Sequence, residues 1–179
     1  ATPCYVIGDA HLGVATPDAE RALIALLRSL PGRARSLVIM GDLFDFWFAW
    51  RHAMPRTGFR VLAALADLRD AGVDVLWIGG NHDCWGGEAL TAETGAVYTL
   101  EPWRDRIGPW TVLLAHGDGL RDVEDAPYRR LRTVLRNPPK LHVLALQDSD
   151  GLDAYALAKA LLPQERFEMV PSGDLLPET

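Results

Sequence analysis

Four short polar clusters hold most of the residues in this chain that could do chemistry. They are Gly8-Asp9-Ala10-His11, Gly41-Asp42-Leu43-Phe44-Asp45, Gly79-Gly80-Asn81-His82-Asp83 and His116-Gly117-Asp118. Asp9 and His11 flank one residue, so extended backbone points both side chains the same way. A carboxylate beside an imidazole suits a divalent transition metal such as Mn, Fe or Zn. Asp42 has two oxygens and can bridge two ions, while Asn81 and His116 add a carbonyl oxygen and a second imidazole. Two ions about 3.5–4 Å apart polarise a phosphoryl group, activate water and steady the leaving oxygen. His82, beside Asn81, can donate a proton or a hydrogen bond to that leaving group, and Asp83 could orient it.

Taken singly, each cluster has a plainer role. An isolated Asp-x-His is more often incidental than not. Gly-Asp after a strand usually makes a turn whose aspartate caps the next helix, and Asp45 reads as such a capping or supporting residue. Asp83 and Asp118 could equally tie down loops. Order and position set the group apart, because each cluster follows a short apolar run: Cys4-Tyr5-Val6-Ile7, Leu37-Val38-Ile39-Met40, Val73 to Ile78, and Val112-Leu113-Leu114-Ala115. Runs this short and rich in Val, Ile and Leu read as strands buried on both faces.

Helical patterns separate the first three runs. Thr16 can cap a helix with Pro17 at its first position and Asp18 and Glu20 at its positive end. Leu23, Leu26, Leu27 and Leu30 give that helix an apolar stripe, and Pro31-Gly32 stops it. A second helix runs from about Gly58 to Ala71, with Val61, Leu62, Leu65 and Leu68 inward and Gly72 as its C-terminal cap. Alternating strands and helices imply a parallel α/β sheet. Leu100 to Ala115 reads as a hairpin turning at Gly108-Pro109. Ligands of open α/β sheets bind beyond the carboxyl ends of the strands, which would gather all four clusters into one site.

Composition sets the outer limits. The 179 residues suit one domain, and 49% hydrophobic with 23% charged is ordinary globular material. A net charge of −6 argues against a nucleic-acid coat, and no nucleic-acid partner is expected. Cys4 and Cys84, in a strand-like run and beside a polar triplet, favour a reducing compartment over a disulfide. No run of about 18 apolar residues and no charged-then-apolar leader is present, so the expected location is cytoplasmic.

The ordered set Gly-Asp-x-His, Gly-Asp-x-x-Asp, Gly-Asn-His-Asp and His-Gly-Asp resembles the successive motifs of calcineurin-like metallophosphoesterases, over roughly residues 4 to 120. The resemblance implies an α/β fold with a two-sheet β-sandwich flanked by helices. It implies metal A at Asp9, His11 and Asp42, metal B at Asp42, Asn81 and His116, and His82 as the catalytic histidine. The cofactors would be two divalent ions, Mn first, with Fe or Zn as alternatives.

Gly41-Asp42-Leu43-Phe44-Asp45-Phe46-Trp47, and His116-Gly117-Asp118-Gly119 followed by Glu124-Asp125-Ala126-Pro127-Tyr128, are similar to the UDP-2,3-diacylglucosamine pyrophosphatases of bacterial lipid A synthesis. That likeness implies a phosphorylated-lipid or nucleotide-sugar substrate, a helical cap over the site, here residues 122–163 of a single 1–179 domain, and a substrate contact at Asp125. Well-known members of that branch carry arginine where this chain has His82, a departure that puts the specificity in question. The cap-like stretch from Ala126 to His142 contains Arg129, Arg130, Arg132, Arg136 and Lys140 and no acid. Arg129, Arg132 and Arg136 share one helical face, and Tyr128, Leu131 and Leu135 another. Such a helix suits a phosphorylated lipid or an anionic membrane surface, with Arg129, Arg132 and Asn81 as further substrate contacts. It would serve equally as a solvated basic face. Trp47, Phe48 and Trp50 could line an acyl pocket, although aromatics at this spacing are more often core.

Calcineurin-like enzymes normally close the site with Gly-His-x-His, one histidine per metal. Here His142 is the only histidine after His116. Gly151 to Pro163 reads as cap helix and Arg166 to Val170 as a final strand. The short interval between them implies a stretch missing near Leu162 to Glu165; in a contiguous chain each metal would lack one ligand.

Overall fold

A computed structural model describes residues 3–49, 54–121 and 123–135. The elements run β1 (Cys4–Ile7), α1 (Pro17–Ser29), β2 (Ser36–Ile39), α2 (Phe59–Asp70), β3 (Asp74–Ile78), α3 (Gly87–Thr94), β4 (Val97–Thr99), β5 (Trp103–Ile107), β6 (Trp110–Leu114) and α4 (Ala126–Leu135). β1 to β4 form one parallel sheet in sequence order, and β5 and β6 form a separate antiparallel pair. The fold is therefore α/β, with a parallel sheet, a second antiparallel sheet and flanking helices.

Register places the chemistry. Ile7 pairs with Ile39 and Ile39 with Trp77, so β1, β2 and β3 end side by side. Each chain continues directly into its polar cluster. Pairing persists past the strand ends through Asp9 N–H to the Gly41 carbonyl (3.1 Å), His11 N–H to Asp42 (3.0 Å) and Leu12 N–H to Leu43 (2.9 Å). Those bonds hold the first two clusters rigidly against each other.

The helices form as their residues dictate. Thr16 Oγ1 accepts the Ala19 amide at 3.2 Å, with Pro17 opening α1. Gly72, at φ +83°, ends α2, its amide donating to Arg69 while Val73 N–H returns to Leu68. Leu27 and Leu30 beneath α1, and Val61, Leu65 and Leu68 beneath α2, pack on Leu37, Ile39, Val75 and Trp77 of the sheet.

Several sequence expectations change. Among the described residues β1 pairs on one side alone, with β2, and its Val6 is 54% exposed rather than buried. Among the described residues β6 has only β5 as a partner, and its Trp110 and Leu113 are exposed. The hairpin turns at Gly108-Pro109 but starts at Trp103 rather than Leu100, because Val97–Thr99 has already joined the parallel sheet beside β3. α3 and β4 leave no strong sequence pattern; they are short, and tertiary contacts at Leu90 and Ala96 hold them. Trp47 belongs to the core, 1% exposed with its ring 4.5 Å from Phe44, so it lines no acyl pocket. Trp50 and most of the proposed 122–163 cap, including His142, lie outside the described residues, as do Leu162 to Glu165 and Arg166 to Val170.

Candidate metal centre

Backbone conformation is the first sign of a built site. Asp9, His11 and Asp42 all have positive φ, +50°, +45° and +50°. Left-handed backbone costs a non-glycine residue on the order of 1–3 kcal/mol and persists where surrounding structure enforces it. Here the extended ladder enforces it, turning three donor side chains toward one place. Two glycines make room. A Cβ at Gly41 would clash with the His116 ring, and one at Gly80 with the Asp42 carboxylate.

Asp42 sits at the centre, 3% exposed. Its Oδ1 accepts the His82 amide at 3.0 Å. Its Oδ2 lies 3.9 Å from His11 Nε2 and 3.4 Å from His116 Nε2, between two imidazoles. Burial pushes the Asp42 carboxyl up, but the His116 hydrogen bond, the His82 amide and the charges of both histidines outweigh it and hold the group below the usual carboxylate range.

Each histidine is oriented by its other nitrogen. His116 Nδ1 donates to the Met40 carbonyl at 2.7 Å, which aims Nε2 at Asp42 and at Asn81 Oδ1, 3.3 Å away. A ligand histidine held this way through its second nitrogen is the usual arrangement at metal sites. The Asp42 hydrogen bond raises the His116 pKa to about 9 against the opposing effect of burial, helped by the Met40 carbonyl and the charges of Asp42 and Asp118. His11 Nδ1 lies 3.3 Å from Asp45 Oδ1, leaving Nε2 toward Asp42. His82 Nδ1 closes on the Asp45 carbonyl, with Asp45 Oδ1 3.8 Å away. The His11 and His82 rings meet edge to face at 4.9 Å.

Among the described residues two donor groups emerge, Asp9 with Asp42 and His116, and His11 with Asp45 and His82. Within each, the donor atoms lie within 4.8 Å of one another. The expected partition placed Asp9 and His11 together on one metal. Asp45 Oδ1 lies 3.3 Å from His11 Nδ1 and 3.8 Å from His82 Nδ1, while His11 keeps its other nitrogen, Nε2, 3.9 Å from Asp42 Oδ2 and so within reach of the expected partition. The mixture of carboxylates, imidazoles and an amide oxygen fits divalent transition metals.

Asp83 does not orient His82. It is fully buried, with Oδ2 accepting the Leu43 amide (3.0 Å) and the Trp77 indole (3.3 Å), and Oδ1 accepting the Gly80 amide (2.7 Å). Burial raises its pKa, partly offset by the Gly80 and Leu43 amides and reinforced by the nearby charge of Asp42. Its role is to lock the second and third clusters together. Asp45 takes the contact at His82 instead, and no spacing rule separates that from a helix cap.

Beyond Asn81 an open cleft of about 470 Å³ is lined by Gly117, Asp118, Gly119, Arg121, Asp125 and Tyr128. Asp125 is at its edge, bonded to Arg121. Arg129 and Arg132, expected as substrate contacts, turn into the chain: Arg129 Nη1 donates to the carbonyls of Gly119 (3.4 Å) and Arg121 (2.5 Å), and Arg132 Nη1 to Asp118 (2.9 Å). The Tyr128 hydroxyl donates to the Asp118 carboxylate. These bonds hold the start of α4 on the loop that follows His116.

The family model for calcineurin-like phosphoesterases matches residues 2–169. The chain belongs to that family. Among curated proteins, this calcineurin-like chain is 36% identical over 138 residues to a UDP-2,3-diacylglucosamine hydrolase of Porphyromonas gingivalis, covering 75% of the chain and 53% of that protein. It is 34% identical over 163 residues to one of Ectopseudomonas mendocina, covering 91% and 66%. A third, of Chromohalobacter salexigens, is 33% identical over 172 residues, covering 96% and 68%. The chain thus spans about half the length of the first relative and about two thirds of the others. As a member of the family it carries a site for divalent metals, and both donor groups lie where its motifs converge.

Proposed function

We propose that the chain is a metal-dependent hydrolase of a pyrophosphate bond, splitting UDP-2,3-diacylglucosamine to 2,3-diacylglucosamine 1-phosphate and UMP. The observation that carries the chemistry is Asp42 Oδ2 placed between His11 and His116, with Asp9 beside it and Asn81 on the far side. The substrate follows from the names of the relatives. Asp9, His11 and Asp42 would hold one cation, and Asp42, Asn81 and His116 a second, Mn being the first choice. Two such cations supply Lewis acidity to a phosphoryl oxygen and lower the pKa of a water.

The chain's own residues do the rest. Asp42 would serve both positions, and the His82 amide on its Oδ1 fixes the orientation of the carboxylate. His82, its Nδ1 fixed by Asp45, presents Nε2 as the donor to the leaving oxygen. Asn81 joins the metal position to the open cleft, where substrate enters. No helix among the described residues is long and apolar enough to cross a membrane. Peripheral contact with anionic lipid from the cytoplasmic side would fall to Arg130, the exposed arginine of α4, since Arg129 and Arg132 are bonded to the loop after His116.

Purified chain with Mn should release UMP from UDP-2,3-diacylglucosamine faster than it cleaves a generic aryl phosphodiester. Cleavage of the aryl ester alone would sink the lipid-nucleotide reading and leave a phosphodiesterase of soluble substrates. A chain that binds no metal and turns over neither would be a non-catalytic binding module.

A further inference from the structure

We infer that Arg121 is the residue that makes this site selective for a diphosphate-bridged substrate over a single phosphoester, by binding the phosphoryl group farther from the metal residues. The inference rests on the functional reading above and names a specificity contact within it. Of the three arginines near the loop after His116, Arg121 lines the cleft, and the other two are bonded to that loop's backbone. Arg129 donates to Gly119 and Arg121, and Arg132 to Asp118. Arg121 differs. Its side chain is 70% exposed at the cleft. Its Nε and Nη2 both donate to the same oxygen, Asp125 Oδ1, at 3.1 and 2.8 Å, and Asp125 Oδ2 holds the Arg121 amide at 3.0 Å.

That grip takes Nε and Nη2 and, among the described residues, leaves Nη1 unbonded on a side chain that lines the cleft. An anchored planar fork loses little freedom when it binds, and it matches the oxygen spacing of phosphate. The local charge is balanced, because Asp118, Glu124 and Asp125 offset Arg121, Arg129 and Arg132. Recognition therefore comes from directed donors rather than from a positive patch. A substrate with one phosphoryl group at the Asp42 site places nothing at Arg121; a pyrophosphate, with a second group one oxygen away, reaches into the cleft that Asn81 and Arg121 share.

Binding of inorganic pyrophosphate and inorganic phosphate to the Mn-loaded full chain, by calorimetry, tests this directly. Wild-type protein should prefer pyrophosphate, and Arg121→Ala should weaken pyrophosphate about tenfold or more beyond any loss for phosphate. Arg121→Lys, which keeps charge without the fork, should fall between them. In turnover, KM for UDP-2,3-diacylglucosamine should rise by the same margin over that for an aryl phosphodiester, with little change in kcat. Equal losses for the two anions, or a wild type without preference, would overturn the proposal. Selective pyrophosphate binding without lipid-nucleotide hydrolysis would instead sustain Arg121 and sink the assigned reaction.

Discussion

At the scale of single residues, Asp42 and Asp45 do different work although three positions separate them. Asp42 lies between two imidazoles, whereas Asp45 touches only the orienting sides of His11 and His82. Loss of a partner that orients a metal ligand costs about 10–100-fold in affinity or activity. Asp45→Asn should fall inside that range and Asp42→Asn beyond it, read from Mn affinity and kcat/KM of the two variants. Asp83 should separate stability from catalysis. Asp83→Ala strands the Leu43 and Gly80 amides and the Trp77 indole, so urea unfolding should show a loss of about 2–4 kcal/mol.

His116 gives the site its pH dependence. Its pKa in the folded metal-free chain is about 9, above the unfolded value of 6.5. Its protonated form therefore stabilises that state fully below pH 6.5, and the contribution disappears as pH rises through 9. Asp42 has the opposite sign: its lowered pKa supplies stability above the unfolded value of 3.8 that is lost in acid. Metal needs the neutral imidazole, so Mn affinity should climb between pH 6.5 and 9, with a proton released on binding. Calorimetry in buffers of different ionisation enthalpy would count that proton; a flat affinity over this range would remove His116 from the ligand set.

At the scale of elements, the first two strands and their helices can be read almost residue by residue. Thr16, Pro17 and the leucine stripe set α1, and Thr16→Ala should cost about 1 kcal/mol. Leu65 is fully buried under α2, and Leu65→Ala should cost about 2–5 kcal/mol in the same unfolding experiment. α3 and β4 could not be read in this way. Eight residues carry too little periodicity to mark a helix, and β4 has three residues that form a strand only because β3 offers an edge. β1 and β6, more exposed among the described residues than their composition predicts, differ for a related reason. Apolar composition shows that a strand is built to be covered, while its neighbours decide which face is.

At the scale of the whole molecule, the site is an intersection. It draws on the ends of β1, β2 and β3 and on the loop after β6, so ligand binding should tighten all of them together. Mn at about a hundred times its dissociation constant should stabilise the chain by about 2.7 kcal/mol, raising Tm, and a chelator should reverse the shift. A Tm indifferent to both would show that the four loops do not close on a common ion.

The sequence alone determined that chemistry-bearing clusters follow short apolar runs, because strand composition and turn glycines are local properties. It also held the donors Asp9, His11, Asp42, Asn81 and His116 in recognisable order. Only the tertiary structure decided how they associate. The ladder between the first two loops puts Asp9, His11 and Asp42 into left-handed backbone, and the glycines at 41 and 80 admit the His116 ring and the Asp42 carboxylate. The same packing moved the contact at His82 from Asp83 to Asp45, and turned Arg129 and Arg132 inward while leaving Arg121 at the cleft. Such choices depend on which surfaces meet, from 8 residues apart at Arg129 to 76 at His116, and no local pattern records that.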